Sequence, residues 1–313
     1  MNYLFITVLI IGLSGLVAQA LVLRELLVSF YGNELTLGIV LANWIIAEAI
    51  GVFSIGKFID RVKNKINVFI ILQILFSLSF PLSIYLARAF KYIIGIPFGE
   101  AMGLSAIFYS SFLIILPISF CHGALFSTAC KIYSLNSKES ATSISRIYSW
   151  ETIGTILGGI IFTYLFLPYL NSFQTVFIIC VLNLIICLPF FVNAGKSFKY
   201  AAIFLIFLII IFALGGGLKF IQDLSIKKQW ENQAVLADRN SIYANLAVTK
   251  QEEQYTFFYN GLPVITVPYP DKQFVEDFGH LPLLFHQAPK EVLIISSGAG
   301  GLINEIIKHP VKK

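Results

Sequence analysis

Between Glu291 and Pro310 the chain reads EVLIISSGAGGLINEIIKHP, a short apolar run followed by Gly298, Gly300 and Gly301 and then a second apolar segment. The run Val292, Leu293, Ile294 and Ile295 predicts a buried parallel strand, and the glycines predict a tight turn into the start of a helix. Backbone N–H groups on such a turn can approach an anionic or polar ligand, so Gly298, Gly300 and Gly301 are candidate cofactor-binding positions. A glycine loop of this length also occurs as a plain structural turn, so its context decides.

A second set of chemically capable residues lies in strongly apolar surroundings. Gln19, Asn43, Glu48 and Glu151 are polar groups inside long apolar segments, and His122 stands beside Cys121 and Gly123. Polar groups at membrane depth are costly, which leaves two readings: hydrogen-bond partners between helices, or a path for a substrate. Glu48 falls mid-segment in LANWIIAEAIG, about a turn after Asn43 and Trp44, and predicts a polar stripe facing the bundle interior. Glu151 is expected near a helix start, where the helix dipole favours a carboxylate. His122 reads as a packing histidine whose ring finds a partner in a neighbouring helix. Cys121, Cys130, Cys180 and Cys187 lie in or beside the same segments and offer neither a disulfide framework nor metal-ligand spacing.

The elements that must carry these residues follow from composition. With 57% hydrophobic residues, 12% charged residues and a mean hydropathy of +0.81, the chain lies outside the soluble range. Apolar stretches over 3–23, 35–56, 66–87, 104–130, 147–168, 172–193 and 200–218 can each cross a hydrocarbon core of roughly 30 Å as a helix. Together they predict a transmembrane bundle of about seven spans over 1–220. Basic residues cluster after the second span (Lys57, Arg61, Lys63, Lys65), the fourth (Lys131, Lys138, Arg146) and the sixth (Lys196, Lys199). The positive-inside rule makes that side cytoplasmic, together with the N-terminus. The net charge of +5 is therefore loop charge and implies no nucleic-acid partner. Seven crossings would put the tail outside, against Lys219, Lys227 and Lys228 beside the last span. The segment 88–103 is accordingly expected as an extra or re-entrant piece, with the tail cytoplasmic at a bacterial-type inner membrane. Gly154, Gly158 and Gly159 have the spacing of a helix-packing face. The turn Gly56-Lys57-Phe58-Ile59-Asp60-Arg61 resembles the G-x-x-x-D-R turn of major-facilitator transporters.

Past residue 220 the pattern shortens. Residues 242–250 and 255–267 alternate as strands do, with Asn260-Gly261 as a hairpin turn. Glu252 and Glu253 read as a solvated polar turn, and His286 and His309 as surface groups. Residues 274–287 read as a helix with Phe274, Phe278, Leu281 and Leu284 on one side. The second domain, 221–313, is thus a small β-hairpin module, a helix, and the first βα unit of a Rossmann-like, methyltransferase-type α/β domain.

This order of elements resembles the spermidine synthase (polyamine aminopropyltransferase) family, and in particular its members that carry a membrane helical bundle before the catalytic domain. Ser241, Tyr243, Asn245, Leu246 and Val248 are similar to the family's opening strand, and Tyr255, Phe257, Asn260 and Gly261 to its hairpin. Glu276, His280, Pro282 and Leu283 match the helix and H-x-P-L stretch before the cofactor strand. The resemblance implies transfer of an aminopropyl group from decarboxylated S-adenosylmethionine to a polyamine or related small amine, with no metal. It implies an adenosyl group over Gly298, Gly300 and Gly301, and amine contacts from Tyr243, Glu276 and His280. The lipid bilayer is the other implied partner, and a homo-oligomer is left open.

Three departures bear on activity. Where catalytic family members usually read Y-H-E, G-G-G-D-G-G and a Gln after the first-strand tyrosine, this chain has Phe274-Val275-Glu276, Ser296-Ser297-Gly298-Ala299-Gly300-Gly301 and Tyr243-Ala244. Ala299 removes a countercharge for an amine, and Val275 removes a polar contact. The residues expected to hold the ribose and adenine, and the catalytic acidic motif, would follow Lys313. The chain is therefore expected to be an incomplete form, whose tail alone binds adenosyl ligands weakly or not at all, with no catalytic residue to name. The competing readings are an amine transporter or sensor with a regulatory synthase-like domain, and an inactive membrane scaffold.

Overall fold

The computed structural model describes residues 2–135, 140–194, 196–231, 233–295 and 298–312. The chain divides into two compact units, Met1–Glu231 and Asn232–Lys313. The division falls past the 220/221 boundary expected from hydropathy, because a further amphipathic helix belongs to the first unit.

That unit is built of helices joined by turns and coil: α1 (Asn2–Phe30), α2 (Glu34–Ile59), α3 (Lys65–Ile93), α4 (Leu104–Ser134), α5 (Ser140–Ile161), α6 (Leu167–Tyr169), α7 (Ser172–Ala194), α8 (Lys196–Leu214) and α9 (Gly217–Gln229). A π-helical turn, Phe162–Phe166, joins α5 to α6. Asparagines set two of the helix starts. Asn33 accepts from the Leu35 and Thr36 N–H groups at the head of α2, and Asn64 accepts from that of Asn67 at the head of α3. The core threads between α1, α3, α4 and α7 and includes Phe69, Phe76, Phe80, Ile84 and Ile118. Gly154 and Gly158 let α5 lie directly on α1: a Cβ at either would stand 1.9 or 2.7 Å from the Leu9 or Leu13 carbonyl oxygen. The packing role expected of this glycine face is what the helices use.

Among the described residues, six helices are long and apolar enough to cross a membrane. A seventh arises only if Ile206–Leu214 and Gly217–Gln229 count together, and that pair is bent by 72°. Gly216, at φ +84°, makes the break. The extra segment expected over 88–103 does not form. α3 runs on to Ile93, and residues 94–103 are turns and coil. Glu151 is also misplaced by the sequence reading, since α5 begins at Ser140 and puts Glu151 in mid-helix.

Deep in this unit Arg88 and Glu25 form a two-pronged ion pair, with Nε to Oε2 and Nη2 to Oε1 both at 2.7 Å. Arg88 also donates to Gln222 and Ser225 of α9 and to Ser172 of α7, at 2.9–3.0 Å. Five charge-assisted bonds from one guanidinium tie four helices together. Sequence reading missed the pair because the helices outrun the apolar stretches that announce them.

The second unit is a four-stranded antiparallel sheet in the order β1 (Ala234–Asn240), β2 (Asn245–Gln251), β3 (Gln254–Tyr259), β4 (Leu262–Val267), followed by α10 (Lys272–Phe285) and α11 (Leu302–Ile306). Asn260 and Gly261, at φ +48° and +81°, make the expected hairpin turn between β3 and β4. Glu252 and Glu253 occupy the exposed β2–β3 turn, as expected. β1 was not anticipated, because a bulge between Val235 and Ala237 blurs its alternation.

The parallel strand expected over Val292–Ile295 is absent, and with it the first βα unit of a Rossmann-like sheet. Among the described residues the four strands all pair antiparallel, and none of them hydrogen-bonds to 292–295. Leu293 and Ile295 are 85% and 83% exposed, while Val292 and Ile294 pack on Val275, Leu283, Leu302 and Ile306. The apolar side drawn through Phe274, Phe278, Leu281 and Leu284 is not the buried one; Val275, Gly279 and Leu283 face inward.

Arg88→Ala would leave Glu25 buried and unpaired. It is expected to lower bundle stability by about 3–5 kcal/mol, read as an earlier unfolding midpoint of the detergent-solubilised protein. A loss below about 1 kcal/mol would mean that water reaches the pair.

Candidate functional site

The glycine turn and the sheet make a cleft in the second unit. It holds about 400 Å³ and is lined by Pro263, Ile265, Thr266, Phe274, Phe278 and Ala299, among others. One wall is β4, the other is the first half of α10, and the floor is the turn itself. Asp271 starts α10 by accepting from the Phe274 N–H at 3.1 Å, which directs Phe274 and Phe278 toward the opening. Their rings stack 5.7 Å apart at 15°. The exposed apolar row of α10 thus becomes a flat aromatic wall, a surface suited to a planar ligand.

Gly300 and Gly301 have φ of +92° and +91°, a left-handed conformation that strains any residue with a Cβ. A Cβ would also approach Ile265 Cγ2 at Gly300 and Pro270 Cγ at Gly301, each at 3.0 Å. Gly298 has open space around it. Ser296 and Ser297 lie outside the described residues. The three expected cofactor positions are therefore at one turn, and two of them require glycine.

The three expected amine contacts do not share that cleft. Tyr243 is 80% exposed in the turn between β1 and β2, where its N–H donates to Ser241 Oγ. Glu276 is exposed on α10. His280 faces α11 instead: its Nε2 is 3.0 Å from Glu305 Oε2 and its Nδ1 is 2.7 Å from His309 Nε2. His309 is consequently part of a clamp and not a plain surface group. Lys308 also donates to Glu305. This Lys308 contact, with His280 adding to it, holds the Glu305 carboxyl below the usual carboxylate value of 4.5.

A second polar site lies in the first unit. Glu48 Oε1 is 2.7 Å from His122 Nδ1, and Glu151 Oε1 is 3.8 Å from His122 Nε2. α2, α4 and α5 each supply one of these residues. Gly15 of α1 packs directly on the ring, where a Cβ would stand 2.0 Å from Nε2. Asn43 is buried and donates through Nδ2 to the Phe108 carbonyl and to Ser111 Oγ, both at 2.8 Å. Gln19 is half-buried in α1. Sequence reading named Glu48, His122 and Glu151 but did not join them. It missed the buried Gln73–Asn183–Ser14 chain altogether. At the end of α2, Asp60 pairs with Lys131 of α4, whose hydrogen bond draws the Asp60 carboxyl below its usual value.

Comparison with known proteins places the tail in a class. Residues 272–313 match the spermine/spermidine synthase domain. The chain is 23% identical to polyamine aminopropyltransferase 2 of Aquifex aeolicus (strain VF5) over 307 residues, which is 96% of this chain and 58% of that protein. It is 25% identical over 173 residues to a polyamine aminopropyltransferase of Leptospira interrogans, covering 53% of this chain and 34% of the relative. A shorter match, 35% over 72 residues, is to the polyamine aminopropyltransferase of Bacillus subtilis (strain 168), covering 23% of this chain and 26% of that protein. The chain is thus similar to polyamine aminopropyltransferases, and it spans 58%, 34% and 26% of the lengths of these three relatives. No solved structure gives a significant match.

Gly301→Ala is expected to cost about 1–2 kcal/mol and to speed amide exchange along α10 in the full chain; unchanged exchange would show that the turn is not under this constraint. The clamp also sets a pH dependence. A carboxyl held below its ordinary value stabilises a fold above that value and loses its contribution as pH falls through the lowered one. Exchange protection of α10 is therefore expected to persist at neutral pH and to fall in the acid range below 4.5. In Glu305→Gln, α10 exchanges faster already at neutral pH; wild-type protection in that variant would contradict the role given to the clamp.

Proposed function

We propose that this protein is a membrane-bound, spermidine-synthase-like protein whose second unit offers an adenosyl-sulfonium substrate a seat over Gly298, Gly300 and Gly301. The observation that carries the reading is the coincidence of the domain match over 272–313 with a glycine turn that opens on an aromatic-walled cleft. In aminopropyl transfer, an amine nitrogen displaces the sulfonium sulfur at a propyl carbon, so the C–S bond breaks as the C–N bond forms. The protein's task is to align the two partners and to accept the amine's proton. The relatives' names supply the amine class, a polyamine. Tyr243, Glu276 and His280 are proposed amine contacts once a ligand is bound, and decarboxylated S-adenosylmethionine is the proposed co-substrate.

Six apolar helices of spanning length among the described residues support membrane embedding. Six crossings return the chain to the side on which it began, which reconciles a cytoplasmic tail with a cytoplasmic N-terminus. Lys227 and Lys228 at the end of α9 fit that side.

Ala299 lines the cleft where the family usually carries an acid, so this chain is expected to hold an adenosyl ligand more readily than an amine. Two calorimetric titrations of the full chain in nanodiscs test this. Methylthioadenosine is expected to bind the wild type and to be lost in Gly300→Val. Ala299→Asp is expected to tighten putrescine binding by about tenfold or more, the worth of one charge-assisted hydrogen bond. Absence of any adenosyl binding by the wild type would contradict the proposal.

A further inference from the structure

The cleft between β4 and α10 is apolar except at one corner. Among the described residues that line it, Asp271 has the one charged side chain and Thr266 the one hydroxyl. Thr266 Oγ1 donates to the Tyr269 carbonyl at 3.1 Å, so its proton is engaged in the turn that leads into α10. Asp271 is differently placed. Its Oδ1 accepts from the Phe274 N–H, which anchors the carboxylate at the head of the helix, and among the described residues it forms no ion pair. A carboxylate has a second oxygen beyond the one that caps the helix.

Asp271 also lies at a definite end of the aromatic wall. Pro270, its neighbour, stands against the glycine turn, where a Cβ on Gly301 would come within 3.0 Å of Pro270 Cγ. Phe274 and Phe278 follow about one and two turns later on the same helix face. At 1.5 Å per residue, the midpoint of the two rings lies roughly 7–8 Å further along the helix axis than Asp271. A purine held against the rings can therefore direct its 5′ substituent toward the turn and Asp271. An adenosyl group spans that length from its base to its 5′ sulfur.

The ligand proposed for that seat changes charge as it reacts. While the amine nitrogen bonds to the propyl carbon, the C–S bond breaks and its electron pair stays on sulfur. A cationic sulfonium becomes a neutral thioether, and the amine carries the positive charge until its proton passes to solvent. We propose that Asp271 is the specificity-determining contact that distinguishes the sulfonium substrate from the thioether product. Its carboxylate attracts the first and meets no charge on the second. Product release is favoured by the same difference, with no movement of the chain. The positive end of the α10 dipole offsets part of the carboxylate's charge, and Asp271 is exposed, so the preference is several-fold and not many orders of magnitude. A contact to the ribose hydroxyls would serve both ligands alike, and a plain helix cap would serve neither.

The inference rests on the adenosyl reading of the cleft, and two ligands that differ by one methyl group and one charge test it: methylthioadenosine and its S-methylated, dimethylsulfonium form. Each is titrated calorimetrically into the full chain in nanodiscs, as wild type and as Asp271→Asn. Asn caps a helix as well as Asp does, so the variant keeps the start of α10 and removes only the charge. The wild type is expected to favour the sulfonium by roughly fivefold or more, the scale of one unit charge about 4 Å away with water nearby. High salt is expected to shrink that preference. In Asp271→Asn the two affinities converge, while that of methylthioadenosine is unchanged. Asp271→Ser, a second neutral cap, is expected to behave in the same way. Equal affinities in the wild type, a preference that survives in both variants, or a parallel loss of both ligands at wild-type helicity overturns the charge contact. Failure of the wild type to bind either ligand overturns the adenosyl reading itself, and this assignment with it.

Discussion

The first unit is governed by the cost of a polar group in an apolar interior. Each buried charge or amide must find a partner inside the bundle, because no solvent competes for it. Arg88 meets that demand completely, and in doing so it fixes α1, α3, α7 and α9 to one another. Glu48, His122 and Glu151 form a second cluster, with Glu48 2.7 Å and Glu151 3.8 Å from the ring nitrogens of His122.

In the second unit the constraint is conformational. Two left-handed glycines turn the chain beneath β4, and the side chains of Ile265 and Pro270 stand too close to tolerate a Cβ there. α10 divides its apolar residues between two tasks: Val275, Gly279 and Leu283 face inward, while Phe274 and Phe278 line the opening. The clamp of His280, Glu305 and His309 ties the helices on either side of the turn. A cleft with an aromatic wall and a glycine floor follows from these placements.

Much of this was legible in the residues. Long apolar runs announced helices of spanning length, and Asn260-Gly261 announced a hairpin, because both signals are local. The glycine turn was legible for the same reason, and the domain match over 272–313 agrees with the family it suggested. What sequence reading missed depends on distant partners. The 292–295 run has the composition of a strand, but a strand exists only where another can hydrogen-bond to it. His280 looked like a ligand contact until His309 and Glu305 were brought against it. Glu25 and Arg88 stand outside the apolar runs, and only the extra turns of α1 and α3 carry them inward to meet.

The account's central claim is that the glycine turn and the Phe274–Phe278 wall seat an adenosyl group in a protein held by its helical bundle. A cryo-EM map of the full chain in nanodiscs with methylthioadenosine tests it most directly. The account predicts ligand density between β4 and α10, with the purine against the Phe274 and Phe278 rings and its remainder over Gly300 and Gly301. Density elsewhere, or an empty cleft at saturating ligand, would contradict it.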